Sequence, residues 1–453
     1  MARHRVVNGV RRFTSGNFST SFGSRVARYL RDRRGAVAII YAAVLPGLVG
    51  LVGLGVETGY WYVSKRNLQT EADAAALGGA WSKLYGGSSG AILAAATNEA
   101  GRNGFVDTPA TDISMNNPPV YGAYIADANA VEIILTEDHE LLFASVVRDA
   151  VVTVAARAVA KIIPADDACV LALNTTAPDA LNITGNTDFN MPTCVLASNS
   201  TNCPSGANID GSATVIAYSV YSAGCYENTS SDPVTLTEPA QTNMAPIIDP
   251  YANATVPPAP APCTPWGGAA TKQSGRKYCN NLNIPPPSTV NFEPGIYWLE
   301  DANLTVHGTL VCPTCVEGGD GVLIIFMNDS GGDTGSITIN GSANVVLNGI
   351  SPAQAAAAGQ PALSGLLLFQ DPDAAGDSSD QAHINGGSGT SLTGAIYFPQ
   401  NEINFEGNTA GQSTCTLIIG KTVDITGNSN MDVTDCGAYG VGVPRSQDVS
   451  LVE

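Results

Sequence analysis

The pattern of apolar and polar positions changes texture three times along the chain. Residues 36–56, AVAIIYAAVLPGLVGLVGLGV, are an uncharged apolar run. At about 1.5 Å per residue the run covers roughly 30 Å, the thickness of a bilayer's hydrocarbon core, which predicts a transmembrane helix. From Val63 the text reads VSKRNLQTEADAAALGGAWSKL, with Leu68, Ala72, Ala75, Ala76 and Gly79 at spacings of three and four. That spacing predicts a helix with a small-residue stripe, continuing the span outward as one rod. Gly86 to Gly90 breaks it, and AILAAATNEAGRNGF resumes a short helical pattern. VEIILTEDHELLFASVV and AVVTVAARAVAKII then carry β-branched runs that predict two strands, with room for a helix between them around 141–148.

Beyond residue 163 the composition turns to Asn, Gly, Thr and Ser between short apolar runs. LNITGNTDFN, NIDGSATVIAYSV, LTVHGTLV, ITINGSANVVLNG, INFEGNTAG and VDITGNSNMDV share a unit of alternating β residues followed by Gly and a small polar residue. Repetition of such a unit predicts the rungs of a parallel β-helix, with a β-sandwich of short strands as the rival. The Pro-rich residues 249–287 read as a linker or long loop, and SPAQAAAAGQPA from 351 as an insert. The expected fold class is therefore an α+β N-terminal module after one transmembrane helix, then a mainly β C-terminal domain. The expected divisions are a basic leader at 1–35, the span at 36–56, the α+β module at 57–163, the β domain at 164–440 and a tail at 441–453.

Charge gives the span a direction. Nine arginines precede Gly35 against the single acid Asp32, while Lys65 and Arg66 are the nearest bases on the far side. The positive-inside rule then places the N-terminus in the cytoplasm and exports everything after Glu57, with Tyr60, Trp61 and Tyr62 at the outer interface. The run is longer than the h-region of a cleaved signal, and no A-x-A-like site follows it cleanly, so an uncleaved anchor is expected. Residues 164–453 hold five Lys or Arg against twenty-seven Asp or Glu, a net charge of −22. Such a surface repels nucleic acid and suits solubility in an external compartment. All ten cysteines lie beyond the span, and their even number fits up to five disulfides of open connectivity.

The segment from Gly35 through Ala80 resembles the N-terminal signature of TadE/TadG-like proteins of the tight-adherence (Flp) pilus system. The matching positions are Gly35, Pro46, Glu57, Gly59, Tyr62, Lys65, Arg66, Leu68, Gln69, Ala72, Asp73, Ala74, Ala75, Ala76 and Leu77. Asn103-Gly104 and the closing VTVAARAVA are also similar to the family, so the resemblance runs over roughly residues 30–163. It implies a pilin-like long helix with a small sheet and a non-enzymatic part in assembling or anchoring a pilus. Its implied partners are other pilus-assembly membrane proteins, pilin and the membrane itself. Two departures stand out. Pilins of this system carry Glu five residues after the cleaved Gly with Tyr next, whereas Ile40 precedes Tyr41 here, which argues against processing after Gly35. The Asp-x-Ser-x-Ser metal motif of many TadG-like proteins is also lacking, since the closest text runs from Asp329 to Asp333 as DSGGD, and no von Willebrand A domain is expected.

Candidate chemistry is sparse. Ser88 sits in a literal G-x-S-x-G, but a nucleophile elbow needs a preceding strand, and a helix precedes it. Glu402 and Glu406 alternate with Ile403 and Phe405 and so share one strand face. At about 3.3 Å per residue they stand roughly 13 Å apart, beyond the roughly 5 to 9.5 Å of glycosidase pairs. Asp371, Asp373 and Asp377 with Gly376, and Asp380 beyond, resemble part of a calcium loop but lack its later ligands. Cys312 and Cys315 form a C-x-x-C without the second pair a zinc ribbon needs. His4, His139, His307 and His383 show no ligand spacing. No catalytic, cofactor or metal residue is assigned. In the span, Ala43, Gly47, Gly50 and Gly53 permit close approach of a neighbouring helix, with Pro46 loosening the middle. Two alternative functions remain: a membrane-tethered adhesin or binder of surface or cell-wall glycan, and a polysaccharide-degrading enzyme.

Overall fold

The computed structural model describes residues 36–143, 145, 150–268, 270–329, 331–376, 381–385, 387, 389–406, 415–427, 429–430 and 433–453. The expected leader, with Gly35, lies outside the described residues. Helix α1 (Ala36–Leu84) is unbroken for 49 residues, about 74 Å at the helical rise, and carries Pro46 within it. It is the one helix among the described residues long and apolar enough to cross a membrane. Its first part is exposed almost all round, as at Ile39, Leu51 and Val52. Its second part buries Leu68, Ala72, Ala75, Ala76 and Gly79, the stripe expected from spacing, with Ala80 buried next to it.

That stripe rests on α2 (Ser89–Arg102) and on an antiparallel sheet. At Gly78 the two helices approach so closely that an added Cβ would meet Glu99 Cγ at 2.5 Å. The sheet consists of β1 (Thr111–Asn116), β2 (Ala130–Glu140), β3 (Val151–Ala172) and the C-terminal strand Arg445–Leu451. β2 lies between β1 and β3, and the C-terminal strand pairs with β3 from Asp167 to Ala160. The expected tail is thus the fourth strand of the N-terminal sheet, a pairing between segments far apart in sequence that local pattern cannot reveal. Part of the connection where a helix was allowed, 144 and 146–149, lies outside the described residues.

One buried ion pair ties this sheet together. Glu132 is fully buried and accepts from Arg157 Nε, from Asn116 Nδ2 at 2.7 Å and from the Val120 amide at 3.1 Å. Arg157 also pairs with Glu453, beyond the C-terminal strand. Burial pushes the Glu132 carboxyl up, but these three donors together hold it below its ordinary value.

β3 then leaves this sheet for another. Its last residues, Ala168 to Ala172, pair in parallel with Asp188–Ser198 on one side and Thr416–Thr426 on the other. The remainder is a large, mostly parallel β domain in which most strands pair with others two or three places along the chain, while Ser391–Glu406 pairs with the strands just before and after it and Thr416–Thr426 closes back onto the first strands. One ladder runs through Arg276–Tyr278, Gly295–Glu300, Val322–Met327, Leu366–Gln370, the middle of Ser391–Glu406, Thr416–Thr426, β3, Asp188–Ser198 and Thr214–Ser222. A second runs through Leu282–Ile284, Leu304–Val306, Ile337–Ile339, Ala382–Asn385, the end of Ser391–Glu406, Thr416–Thr426, Leu181–Thr184, Ala207–Ile209 and Tyr226–Asn228. The order shows that the chain enters mid-ladder with β3, winds to one end, returns to the other and winds back onto β3.

The return is made by the Pro-rich stretch. Tyr221 Oη donates to Ala245 O, Asn199 bonds both backbone groups of Ile247, Tyr397 Oη donates to Asp249, Trp298 Nε1 donates to Pro257 O, and the Thr264 amide donates to Lys277 O. These contacts visit the first ladder in reverse order. Eight ladder steps of about 4.8 Å need roughly 38 Å, and nineteen residues in polyproline geometry reach roughly 59 Å. Of the expected linker or long loop, the first part is the latter: residues 245–264 are a packed strap without helix or strand, with Ala245, Ile247, Tyr251 and Ala254 buried. The expected linker's later part forms the short strands Thr271–Lys272, Arg276–Tyr278 and Leu282–Ile284, too brief for periodicity to show. The strap explains why first-ladder strands such as VLIIFM and LLLFQ are buried at every position.

The ten cysteines pair as Cys169–Cys194, Cys203–Cys225, Cys263–Cys279, Cys312–Cys315 and Cys415–Cys436. Arg157→Ala, which leaves Glu132 buried without its charge partner, is expected to lower stability by about 3–5 kcal/mol in denaturant melts. A loss under about 1 kcal/mol would be the behaviour of a surface pair and would remove this ion pair from the account. The sign for Glu132 gives stability present above the carboxylate's ordinary 4.5 and lost as pH falls through its lower folded value.

Candidate functional site

Among the described residues no strap lies over the second ladder, and its outer surface is polar. Asn283, Thr305, Thr338, His383, Asn404, Asp424, Asn182, Asn208 and Glu227 stand in register on successive strands. All but Glu227 are flanked in sequence by buried residues, as Ile403 and Phe405 flank Asn404, and Val423 and Ile425 flank Asp424. Alternation at period two therefore builds an outward column from the repeat unit recognised in the sequence.

Carboxylates from different turns gather on this column. Glu402 and Glu406 lie on the strand of Asn404, and Asp424 follows on the next. Gln381 Nε2 donates to Glu402 at 3.0 Å, Thr422 Oγ1 to Glu402 at 3.1 Å, Asn182 Nδ2 to Asp424 at 2.9 Å and Asn208 Nδ2 to Asn182 Oδ1 at 3.1 Å. Asp210 Oδ1 is buried and finds no partner. Burial holds the Asp424 carboxyl above its ordinary value, against the Asn182 hydrogen bond, and Glu402, Glu406 and Asp210 push it the same way as burial. The arrangement offers amides, hydroxyls and carboxylates at a regular rung spacing, suited to hydrogen bonding an extended polar chain.

A second polar group lies where α1 meets β2. Ser64 Oγ stands 2.8 Å from His139 Nε2 and donates to Glu137 Oε2 at 3.0 Å, while His139 Nε2 is also 3.3 Å from Glu137. Ser64 and His139 are buried, and Tyr60 meets the His139 ring edge-on at 5.2 Å. With Ser64 donating to Glu137, the imidazole donates to Ser64. A nucleophile needs the reverse, a base accepting the hydroxyl proton with its other nitrogen held by the acid. The trio docks α1 onto the sheet. Directly after the span, Glu57 is buried and accepts from the Leu142 amide at 2.7 Å.

The other sequence candidates separate. Ser88 is the N-cap of α2 and accepts from the Ala91 amide. Cys312 and Cys315 are joined to each other. Asp371 accepts from the Asp373 amide at 3.0 Å, and its carboxyl is raised by burial, while Asp377 and Asp380 lie outside the described residues. His383 takes its place in the polar column, and His307 follows the strand Leu304–Val306. Glu402 and Glu406 do share a face as expected. Sequence reading missed Asp424 and Asp210 beside them, although aligning the units INFEG, VDITG and NIDG on their buried residues would have found both.

For Asp424, a raised folded value means that stability rises as pH falls through it and levels off below the ordinary 3.8. Asp424→Asn is expected to melt higher than the wild type near neutral pH, with the gap closing in acid. An Asn variant that melts lower at neutral pH would contradict this electrostatic reading.

No curated protein and no solved structure matches the chain. Residues 35–82, almost the whole of α1, match the family model described as putative Flp pilus-assembly TadE/G-like. By that match the chain carries a TadE/G-like Flp pilus-assembly segment, and the β-rich part that follows it is unassigned.

Proposed function

We propose that this protein is a single-pass component of a Flp pilus assembly system, with its N-terminus in the cytoplasm and its β domain outside the inner membrane. The observation that carries the reading is the coincidence of the family match with α1, whose apolar and docked halves form one continuous helix. Such a helix lies beside other pilus-system helices in the membrane while holding the β domain at a fixed position above it. The role is structural, with assembly proteins and pilin as partners. Parallel pairing between strands two or three apart favours a β-helix for the outer domain, since a β-sandwich is built from antiparallel neighbours.

The polar column of the second ladder favours one alternative, binding of a surface or cell-wall glycan by the full-length anchored protein. The two readings predict different losses. Deleting the gene is expected to reduce pilus number and surface adhesion together. Unchanged pilus number with reduced adhesion would favour the glycan reading, and no change in either would sink the assembly role.

A further inference from the structure

Two residues in the last turns of the apolar run are buried although their neighbours are not. They are Gly53 and Glu57, one helical turn apart, whereas Val52, Leu54 and Val56 are more than half exposed. Both are covered by the same piece of chain, the end of β2 and the residues that follow it. The Phe143 ring lies on Gly53, so that a Cβ placed there would meet Phe143 Cγ at 2.8 Å, and the Leu142 amide bonds Glu57. Gly53 lies about 6 Å further into the span than Glu57 at the helical rise. Phe143 is therefore held at the depth of residues that the span reading places in hydrocarbon.

Among the described residues, exposed apolar side chains stand at both ends of the β2–β3 connection. Leu142 is 60% exposed, Phe143 48% and Val151, where β3 begins, 57%. In water this would be an uncovered apolar patch at the end of a hairpin. Through Phe143 it sits on Gly53, whose neighbours Val52 and Leu54 are exposed apolar residues of the span, and leucine and phenylalanine at that depth gain from acyl-chain contact. The carboxylate of Glu57 is turned inward onto a backbone donor, which keeps its charge off the lipid.

Resting on the membrane-span reading, we propose that the Leu142–Phe143 end of the β2–β3 connection is a second membrane contact, inserted among the acyl chains of the outer leaflet beside α1. A lone helix can rotate about its own axis and tilt. A second insertion point fixes both, and because β2 and β3 carry the β domain, it fixes which side of that domain faces the membrane.

The test uses the full chain in phosphatidylcholine vesicles whose acyl chains carry bromines near the headgroup end. Phe143→Trp is compared with Val52→Trp, one residue from Gly53 in the span, over the background of Trp61, Trp81, Trp266 and Trp298. The proposal expects the added emission at 143 to be quenched to the same extent as that at 52. Quenching at 52 without quenching at 143 would leave the span standing and overturn the second contact. No quenching at 52 would overturn the span itself and the contact with it. Leu142→Trp, at the more exposed position, gives the same readout should a larger ring at 143 disturb its seat on Gly53.

Discussion

Pairing of β3 with different partners along its length sets the placement of every other element. From Val151 to Lys161 it pairs with β2, from Ala160 to Asp167 with the C-terminal strand, and from Ala168 to Ala172 with the parallel ladder. Pro164, which has no amide proton to give, falls beyond the β2 pairing and just before the change of sheets. A proline is costly in a central strand and tolerated where pairing on one side has ended. The apolar helix, the sheet it lies on and the β domain are consequently joined through one continuous backbone beam. Arg157, reaching Glu132 on β2 and Glu453 beyond the last strand, locks the beam at its midpoint.

Carboxylates fall into two populations along this beam. In the N-terminal sheet Glu132, Asp127 and Glu453 are held below their ordinary values, with Asp127 hydrogen-bonded to Lys161 and Glu453 to the Ala123 amide and Arg157. In the β domain Asp249, Asp371 and Asp424 are raised, chiefly by burial. Acid therefore weakens the contacts of Glu132, Asp127 and Glu453 while relieving Asp249, Asp371 and Asp424, and burial also raises Glu71 on α1 and Asp166 on β3.

Much of this was legible where the physics is local. The stripe Leu68, Ala72, Ala75 and Ala76 announced a helix and its buried side, and the units around Asn182, Asn404 and Asp424 announced repeated short strands. What stayed hidden depends on closure over long distances. The C-terminal strand reads as a tail because its partner is almost three hundred residues away. The prolines that suggested a linker or long loop suit an extended strap, which has few amides to satisfy, but do not say which strands it would cross. Disulfide partners became visible only once neighbouring turns were stacked. The same limit applied to the polar column, where Glu402 and Glu406 looked like an isolated pair until Asp424 and Asp210 arrived from other turns.

The central claim is that α1 seats this β domain among pilus-assembly proteins in the membrane. Full-length protein captured from detergent-solubilised membranes, followed by mass spectrometry of what accompanies it, tests that claim most directly. The account predicts recovery of Flp pilus-assembly membrane proteins and pilin, and their loss when α1 is exchanged for an unrelated apolar helix. Recovery of the protein without any pilus-system component would contradict it.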